Sequence, residues 1–259
     1  MPQIVAQDVR VVYPNARDRT EFVALENVTL EVEAGEFLVI VGPSGCGKTT
    51  FLNAVAGLLP ISSGSLTIDG REVEGPGPDR AMVFQEYALL PWRNVRQNIL
   101  LGLELRGRAR GPEVEAKLQR YIRLVGLEGF ERHYPHELSG GMRQRVGLAR
   151  ALITDPSILL MDEPFAAVDA MTREVMQGEL LKLREEMRQT VLFITHSIDE
   201  AITLGDRIVV MTARPGRVKA VVPVDLPKPR WAYEVRATPR FHALRDQLWE
   251  LVKAEAKRV

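Results

Sequence analysis

Gly42-Pro43-Ser44-Gly45-Cys46-Gly47-Lys48-Thr49 lies between an apolar run, EFLVIV from Glu36 to Val41, and a helical pattern that begins KTTFLNAVAGL at Lys48. The spacing G-x-x-x-x-G-K-[ST] between a strand and a helix describes a loop that wraps phosphate. Glycines let backbone N–H groups turn inward around anionic oxygens, where side chains would block the approach. The helix behind, with Thr50 in its first turn, presents unpaired N-terminal donors to the same anion. Those helix-end effects are worth only ~0.3–2 kcal/mol each, too little to hold a triphosphate. Lys48 therefore supplies a full positive charge, and Thr49 a hydroxyl ligand for Mg²⁺. Cys46 reads as a small residue at a permissive position, and bulky alkylation of its thiol is expected to block ATP binding.

Downstream, Ile158-Leu-Leu-Met-Asp162-Glu163-Pro164 is an apolar strand ending in two carboxylates. Ligands of an open parallel sheet gather at the carboxyl ends of its strands, so both acids are expected near the phosphates. Asp162 suits Mg²⁺, directly or through water, and Glu163 suits orienting or deprotonating the attacking water. Alone, the pair could also be a buried strand leaving its sheet through a charged turn; the phosphate loop favours the chemical reading. Leu138-Ser139-Gly140-Gly141-Met142-Arg143-Gln144-Arg145 would alone read as an ordinary helix start; beside a complete phosphate loop it reads as a second anion cradle. Ser139 caps a helix and offers a hydroxyl, while Gly140 and Gly141 permit close approach.

Around these motifs, strand and helix patterns alternate. IVAQDVRVVY and FVALENVTLEVEAG read as antiparallel strands joined by a polar turn, and SGSLTIDG as a further strand and turn. From about Gln85 to Arg150 helix dominates, with periodic segments from Glu113 to Val125 and from Ser139 to Ala151. SILLMD and TVLFIT are two more strands, each fed by a helical stretch, and IVVMTARPGRV reads as a hairpin. Proline-rich VPVDLPKPR then leads to a terminal helix with Thr238 and Pro239 at cap and first-turn positions. The alternation predicts an α/β fold whose mainly parallel sheet is covered by helices on both faces. An N-terminal antiparallel β subdomain and an inserted α-helical subdomain at about 86–150 complete it. The expected division is 1–225 for the nucleotide-binding domain and 226–259 for a connector and helix.

At 259 residues the chain can bury the core of one large domain, or of a domain with a short appendage. Lys plus Arg equals Asp plus Glu at 34 each, so no net field favours nucleic acid or an anionic bilayer. A single cysteine rules out an internal disulfide and fits a reducing compartment. MPQIVAQDVRVVYP lacks the basic start and apolar core of a secretory signal. The longest uncharged stretch, Thr49 to Ile68, spans 20 residues but contains Pro60, Gly57, Gly64 and Asn53, which reads poorly as a bilayer span. A soluble, cytoplasmic protein is expected, with any membrane role coming through a partner and no nucleic-acid partner.

LSGGMRQR ahead of an LLMDEP strand resembles the signature of ABC-type ATPases, and the resemblance extends over essentially the whole chain. It implies a P-loop NTPase core. It also implies a head-to-tail homodimer, in which each ATP lies between the phosphate loop of one copy and the Ser139 cradle of the other. Carried over residue by residue, the resemblance makes Tyr13 the ring that stacks on adenine, although a lone Tyr in a strand also reads as core. Gln85, after the strand AMVF, becomes the sensor of Mg²⁺ and γ-phosphate. His196, after TVLFIT, becomes the contact to γ-phosphate, and Asp169 the loop carboxylate that crosses the dimer interface. FAAVD departs from the pattern at Ala167, where many relatives carry serine or a similar small residue.

LLPWRNVRQNI, YPHELSGGMRQRVGLARAL, MTARPGRV and RATPRFHALRDQLWELVK look most like the nitrate/sulfonate/taurine importer branch. That implies an ATP-hydrolysing subunit energising uptake of a small solute through a separate integral membrane permease. It would sit at the cytoplasmic face of the cell membrane, with a solute-binding protein acting through the permease. A soluble ABC ATPase without a permease, or an exporter motor, would share the core motifs. The segment Tyr87 to Ile99 is apolar for a connection: Leu89, Leu90 and Trp92 either fill the helical subdomain or form a groove for a permease helix. The tail places Phe241, Leu244, Leu248 and Leu251 or Val252 on one stripe, for packing on its own domain or for a dimer or regulatory contact.

Overall fold

The computed structural model describes residues 2–14, 21–231 and 234–256. Strands β1 (Pro2–Pro14) and β2 (Glu21–Glu33) pair antiparallel, and the turn expected between them lies outside the described residues. With β4 (Ser63–Ile68) and β5 (Arg71–Glu72) they form a four-stranded sheet of order β2-β1-β4-β5. A second sheet contains β3 (Phe37–Val41), β6 (Arg80–Val83), β7 (Ile158–Asp162), β8 (Thr190–Ile194), β9 (Arg207–Met211) and β10 (Val218–Pro223). Its order is β10-β9-β3-β8-β7-β6; β9 through β6 run parallel and β10 closes the edge antiparallel.

The central strands are short apolar runs buried on both faces, as a parallel sheet covered by helices requires. Their alternation is literal. Phe37, Val39 and Val41 of β3 face one core with Leu159 and Met161 of β7 and Val191 and Phe193 of β8. Leu38, Ile40, Ile158, Leu160, Leu192 and Ile194 face the other. That second core also takes up the antiparallel sheet and helix α1 (Lys48–Ala56). Each fully buried Leu, Ile, Val or Phe contributes ~1.5–3 kcal/mol over its exposed state, so the sheet is held from both sides. The 20-residue uncharged stretch resolves into α1, a loop and the whole of β4. Among the described residues, no helix is long and apolar enough to cross a membrane.

Helices α2 (Val95–Leu105), α3 (Pro112–Leu124) and α4 (Gly140–Leu152) form the inserted helical part and pack on one another. The end of the apolar segment after Gln85, from Val95 onwards, is therefore helix, started by a reciprocal Asn94–Gln97 capping box. Buried Asn98 donates to the carbonyls of Leu90 and Arg93 and accepts from the Leu90 N–H, which pins the loop to α2. Leu89 packs against the core, but Trp92 is 70% exposed. Filling of the subdomain thus accounts for Leu89 and fails for Trp92. After α5 (Ala170–Met187), α6 (Ile198–Leu204) and the β9–β10 hairpin, α7 (Pro239–Ala256) buries Phe241, Leu244 and Leu248 in the same core as the parallel sheet. The tail stripe packs on its own chain, leaving Trp249 outside.

Candidate functional site

The phosphate loop leaves the end of β3 and enters α1 through Gly47, whose φ of 96° only glycine adopts without strain. A Cβ there would also stand 2.6 Å from Leu25 Cδ2, so the loop is seated against β2. Lys48 is buried, and its ammonium donates to the carbonyls of Gly42 and Pro43 at 2.9 Å each. The cation is thus fixed inside the loop by the loop's own backbone. Cys46 is buried within the same turn, and burial pushes its thiol above the ordinary range. Alkylation aimed at this residue has to reach an enclosed, protonated thiol, which its reading as a permissive loop position does not convey.

Strand β8 lies between β3 and β7, yet the two chemical ends meet because α1 crosses the sheet face. The hydroxyl of Thr49, in the first turn of α1, lies close enough to Asp162 at the end of β7 to oppose a rise in its pKa. Asp162 is 3% exposed. Burial, with the neighbouring Glu163 charge, raises its pKa, against the Thr49 hydroxyl and the charge of Lys48. Glu163 then leaves the strand at a φ of 48°, a region that costs a non-glycine residue ~1–3 kcal/mol. Its N–H donates to the carbonyl of Ile194 in β8 (3.0 Å), and one carboxylate oxygen lies 3.3 Å from His196 Nδ1. Asp162, Glu163 and His196 therefore stand together at the carboxyl ends of β7 and β8.

Ser139 caps α4 as expected, its hydroxyl accepting from the Met142 N–H at 3.2 Å, and it is exposed. A Cβ on Gly141 would lie 3.1 Å from the Ala167 carbonyl, so the cradle rests directly on the loop that follows Glu163. Asp169 caps α5, accepting from the Thr172 N–H at 3.0 Å, and that hydrogen bond lowers its pKa. Gln85 is exposed two residues past β6. Tyr13, at the end of β1, stacks on Phe22 with ring centres 6.5 Å apart, and its hydroxyl lies 3.5 Å from Thr50 Oγ1. The ring stands partly open beside the start of α1 rather than in a core.

Two residues of the site escaped the sequence reading. Gln144 on α4 is 2% exposed; its amide donates to the Glu163 carbonyl (3.0 Å) and accepts from the Ala167 N–H (3.1 Å). The second cradle is therefore bonded to the backbone of the candidate base. Arg214, in the β9–β10 turn, donates from Nε to the Gly45 carbonyl at 3.0 Å. A glutamine inside MRQRVG carries no spacing signal; only its burial marks it.

A family model described as ABC transporter matches residues 25–166. The chain is 52% identical to an uncharacterized ABC transporter ATP-binding protein of Methanocaldococcus jannaschii, over 90% of this chain and 85% of that one. It is 50% identical to a taurine import ATP-binding protein of Rhizobium johnstonii, over 87% of each. Among solved structures, the dimeric post-hydrolysis state of an ATP-binding cassette bound to ADP and Pi matches with a TM-score of 0.78 at 33% identity. That match covers 85% of this chain and 98% of the cassette.

Proposed function

Because the chain belongs to the ABC transporter family, we propose that it is the ATP-hydrolysing subunit of an importer, driving a small solute through a separate permease. The observation that carries this reading is the adjacency of two carboxylates with different surroundings. Asp162 is enclosed beside Thr49 and Lys48, while Glu163 opens towards His196. Lys48 and the loop amides bind the terminal phosphates. Glu163 takes a proton from the attacking water or orients it, and His196 holds the Glu163 carboxylate in place and meets the γ-phosphate.

The donor set fits Mg²⁺. Thr49 and Asp162 offer neighbouring hard oxygen ligands, and Gln85 offers a third from just past the end of β6. Among the described residues no cluster of three or more His, Cys, Asp or Glu side chains could hold a metal alone. Mg²⁺ bound through one or two protein oxygens, water and phosphate does not need such a cluster. When bound, the ion neutralises charge developing on the phosphate oxygens.

The exposed Ser139 cradle supports a head-to-tail homodimer, where it covers the nucleotide of the partner copy while Asp169 crosses the interface. The dimeric cassette bound to ADP and Pi is consistent with that arrangement. Trp92, left outside the helical subdomain, suits a permease contact at the cytoplasmic face of the membrane. The taurine import relative supports uptake, and the branch resemblance supports nitrate, a sulfonate, taurine or a similar solute, delivered to the permease by a solute-binding protein.

The test is Glu163→Gln. The variant should retain Mg-ATP, turn over at least ~100-fold more slowly and elute as a stable dimer in ATP. An unchanged rate would remove Glu163 from the chemistry. Co-purification with a membrane permease separates the importer subunit from a free-standing ATPase.

A further inference from the structure

The turn between β9 and β10 does more than reverse the chain. It is braced internally: the Thr212 N–H donates to the Arg217 carbonyl (2.9 Å), and the Thr212 hydroxyl donates to Pro215 and accepts from the Arg217 N–H. It is bonded to the antiparallel sheet as well, through Gly216 N–H to the Ala24 carbonyl (2.9 Å) and Glu26 N–H to the Gly216 carbonyl (3.0 Å). A Cβ on Gly216 would collide with the Cys46 carbonyl oxygen, so the turn lies against the phosphate loop itself. From α7, the buried carboxylate of Glu255 accepts the Ala213 N–H at 3.0 Å and pairs with Lys219 at 2.8 Å. The backbone just before Arg214 is thereby fixed on both sides.

Arg214 extends from this rigid base across the mouth of the loop. Its Nε donates to the Gly45 carbonyl, and its guanidinium carbon lies 5.6 Å from the centre of the Phe22 ring. Phe22 stacks on Tyr13, and the Tyr13 hydroxyl reaches Thr50 in α1. Gly45, Arg214, Phe22, Tyr13 and Thr50 thus close a ring around the place where a base and its phosphates would meet the chain. A guanidinium suits the position because it can donate in its plane to a carbonyl while lying over an aromatic face; an ammonium cannot do both in fixed geometry.

We propose that Arg214 is a nucleotide-positioning residue, which locks the phosphate loop and the Tyr13–Phe22 platform into one arrangement before ATP arrives. This deepens the nucleotide site described above and rests on that reading. Arg214 touches neither Glu163 nor Asp162 in the structure, so it acts on how ATP is held and not on the bond that breaks. A preformed site binds more tightly because less ordering remains to be done on binding.

The experiment compares the full-length parent with Arg214→Ala, Arg214→Lys, Phe22→Leu and the Arg214→Ala/Phe22→Leu pair, by ATPase kinetics and calorimetric titration with Mg-ATP. Loss of one charge-assisted hydrogen bond and one cation–π contact should raise KM and Kd about tenfold for Arg214→Ala, with kcat within about twofold of the parent. Arg214→Lys should recover less than half of that loss on a logarithmic scale. Phe22→Leu should raise KM and Kd in the same direction, and the pair should be less than the product of the two single effects, since each removes the same contact. Because these contacts also exist before ATP binds, thermal midpoints should fall by only the ~2–4 °C that each kcal/mol of lost contact gives, a readout that separates positioning from general destabilisation. Unchanged KM and Kd in Arg214→Ala beside a parent that binds overturns the proposal alone. So do fully multiplicative single effects, or a loss of affinity that tracks a larger fall in melting temperature than those contacts give. A parent that binds no Mg-ATP overturns the nucleotide site and the proposal together.

Discussion

Replacing Gln144 with leucine tests whether the second cradle governs the candidate base through the backbone. Gln144 is enclosed in α4 and makes two hydrogen bonds, to the carbonyl of Glu163 and the N–H of Ala167. Leucine fills similar volume but orphans the Ala167 N–H, while the Glu163 carbonyl keeps the Ala166 N–H (3.1 Å), so a loss of about 1–3 kcal/mol in unfolding free energy is expected. Glu163 also sits at a φ of 48°, a strained conformation that its neighbours must hold. If loss of the Gln144 bonds lets strain of ~1–3 kcal/mol relax, the competent conformer is depleted about five- to 150-fold, and kcat should fall by that factor. Nucleotide affinity should change less than about threefold, because Lys48 and the loop amides do not touch Gln144. Urea unfolding, single-turnover hydrolysis and Mg-ATP titration on one preparation give all three numbers. A variant that loses the expected stability yet hydrolyses ATP at the parent rate would show that the bond to Glu163 is structural only.

Two other outcomes follow from the same geometry. Asp206, between α6 and β9, pairs with Lys228 at 2.6 Å and also with Arg184; burial opposes its ionisation, but the Lys228 and Phe37 N–H hydrogen bonds and the Arg184 charge hold its pKa below the ordinary 3.8. A depressed folded-state pKa adds stability above the unfolded value that is lost as pH falls through the folded one. The parent should therefore lose stability below about pH 3.8, and Asp206→Asn should cost roughly 3 kcal/mol at pH 7 while flattening that acid decline; equal acid slopes in parent and variant would refute it. Trp92→Glu, at a ring 70% exposed beside α2, should leave basal ATP hydrolysis unchanged and abolish solute uptake in vesicles carrying the permease complex; survival of both activities would remove Trp92 from the docking surface.

How much of this was legible in the sequence depends on whether a residue's role is set by its neighbours in the chain or in space. The strand–loop–helix from Phe37 to Ala56 was legible because phosphate chemistry and helix geometry act over a handful of consecutive residues, so glycine, lysine and threonine fall at fixed spacing. The β7 strand and the Ser139 cap were legible for the same reason, as were the antiparallel first strands and the tail stripe. Trp92 was ambiguous because an apolar residue after a strand carries no mark of which way it faces. Its exposure is decided by Asn98, which pins the preceding loop from one turn inside α2. Arg214 lies 169 positions from the carbonyl it holds, and the link exists only because β9 and β3 are neighbours in the parallel sheet.

The contacts that could not be read are also the ones that join separately readable motifs. Gln144 ties the Ser139 cap to the Glu163 strand end, and Arg214 ties the phosphate loop to the stacked Phe22 and Tyr13 rings. Each motif answers to local chemistry, whereas each tie answers to packing, which a one-dimensional pattern does not encode. This division has a mechanical consequence. A glutamine that bonds both Glu163 and Ala167 transmits any displacement of α4 to the backbone that carries the proposed base. A partner copy seating its nucleotide on Ser139 would therefore act on Glu163 through two hydrogen bonds and one helix, without a contact of its own to the base.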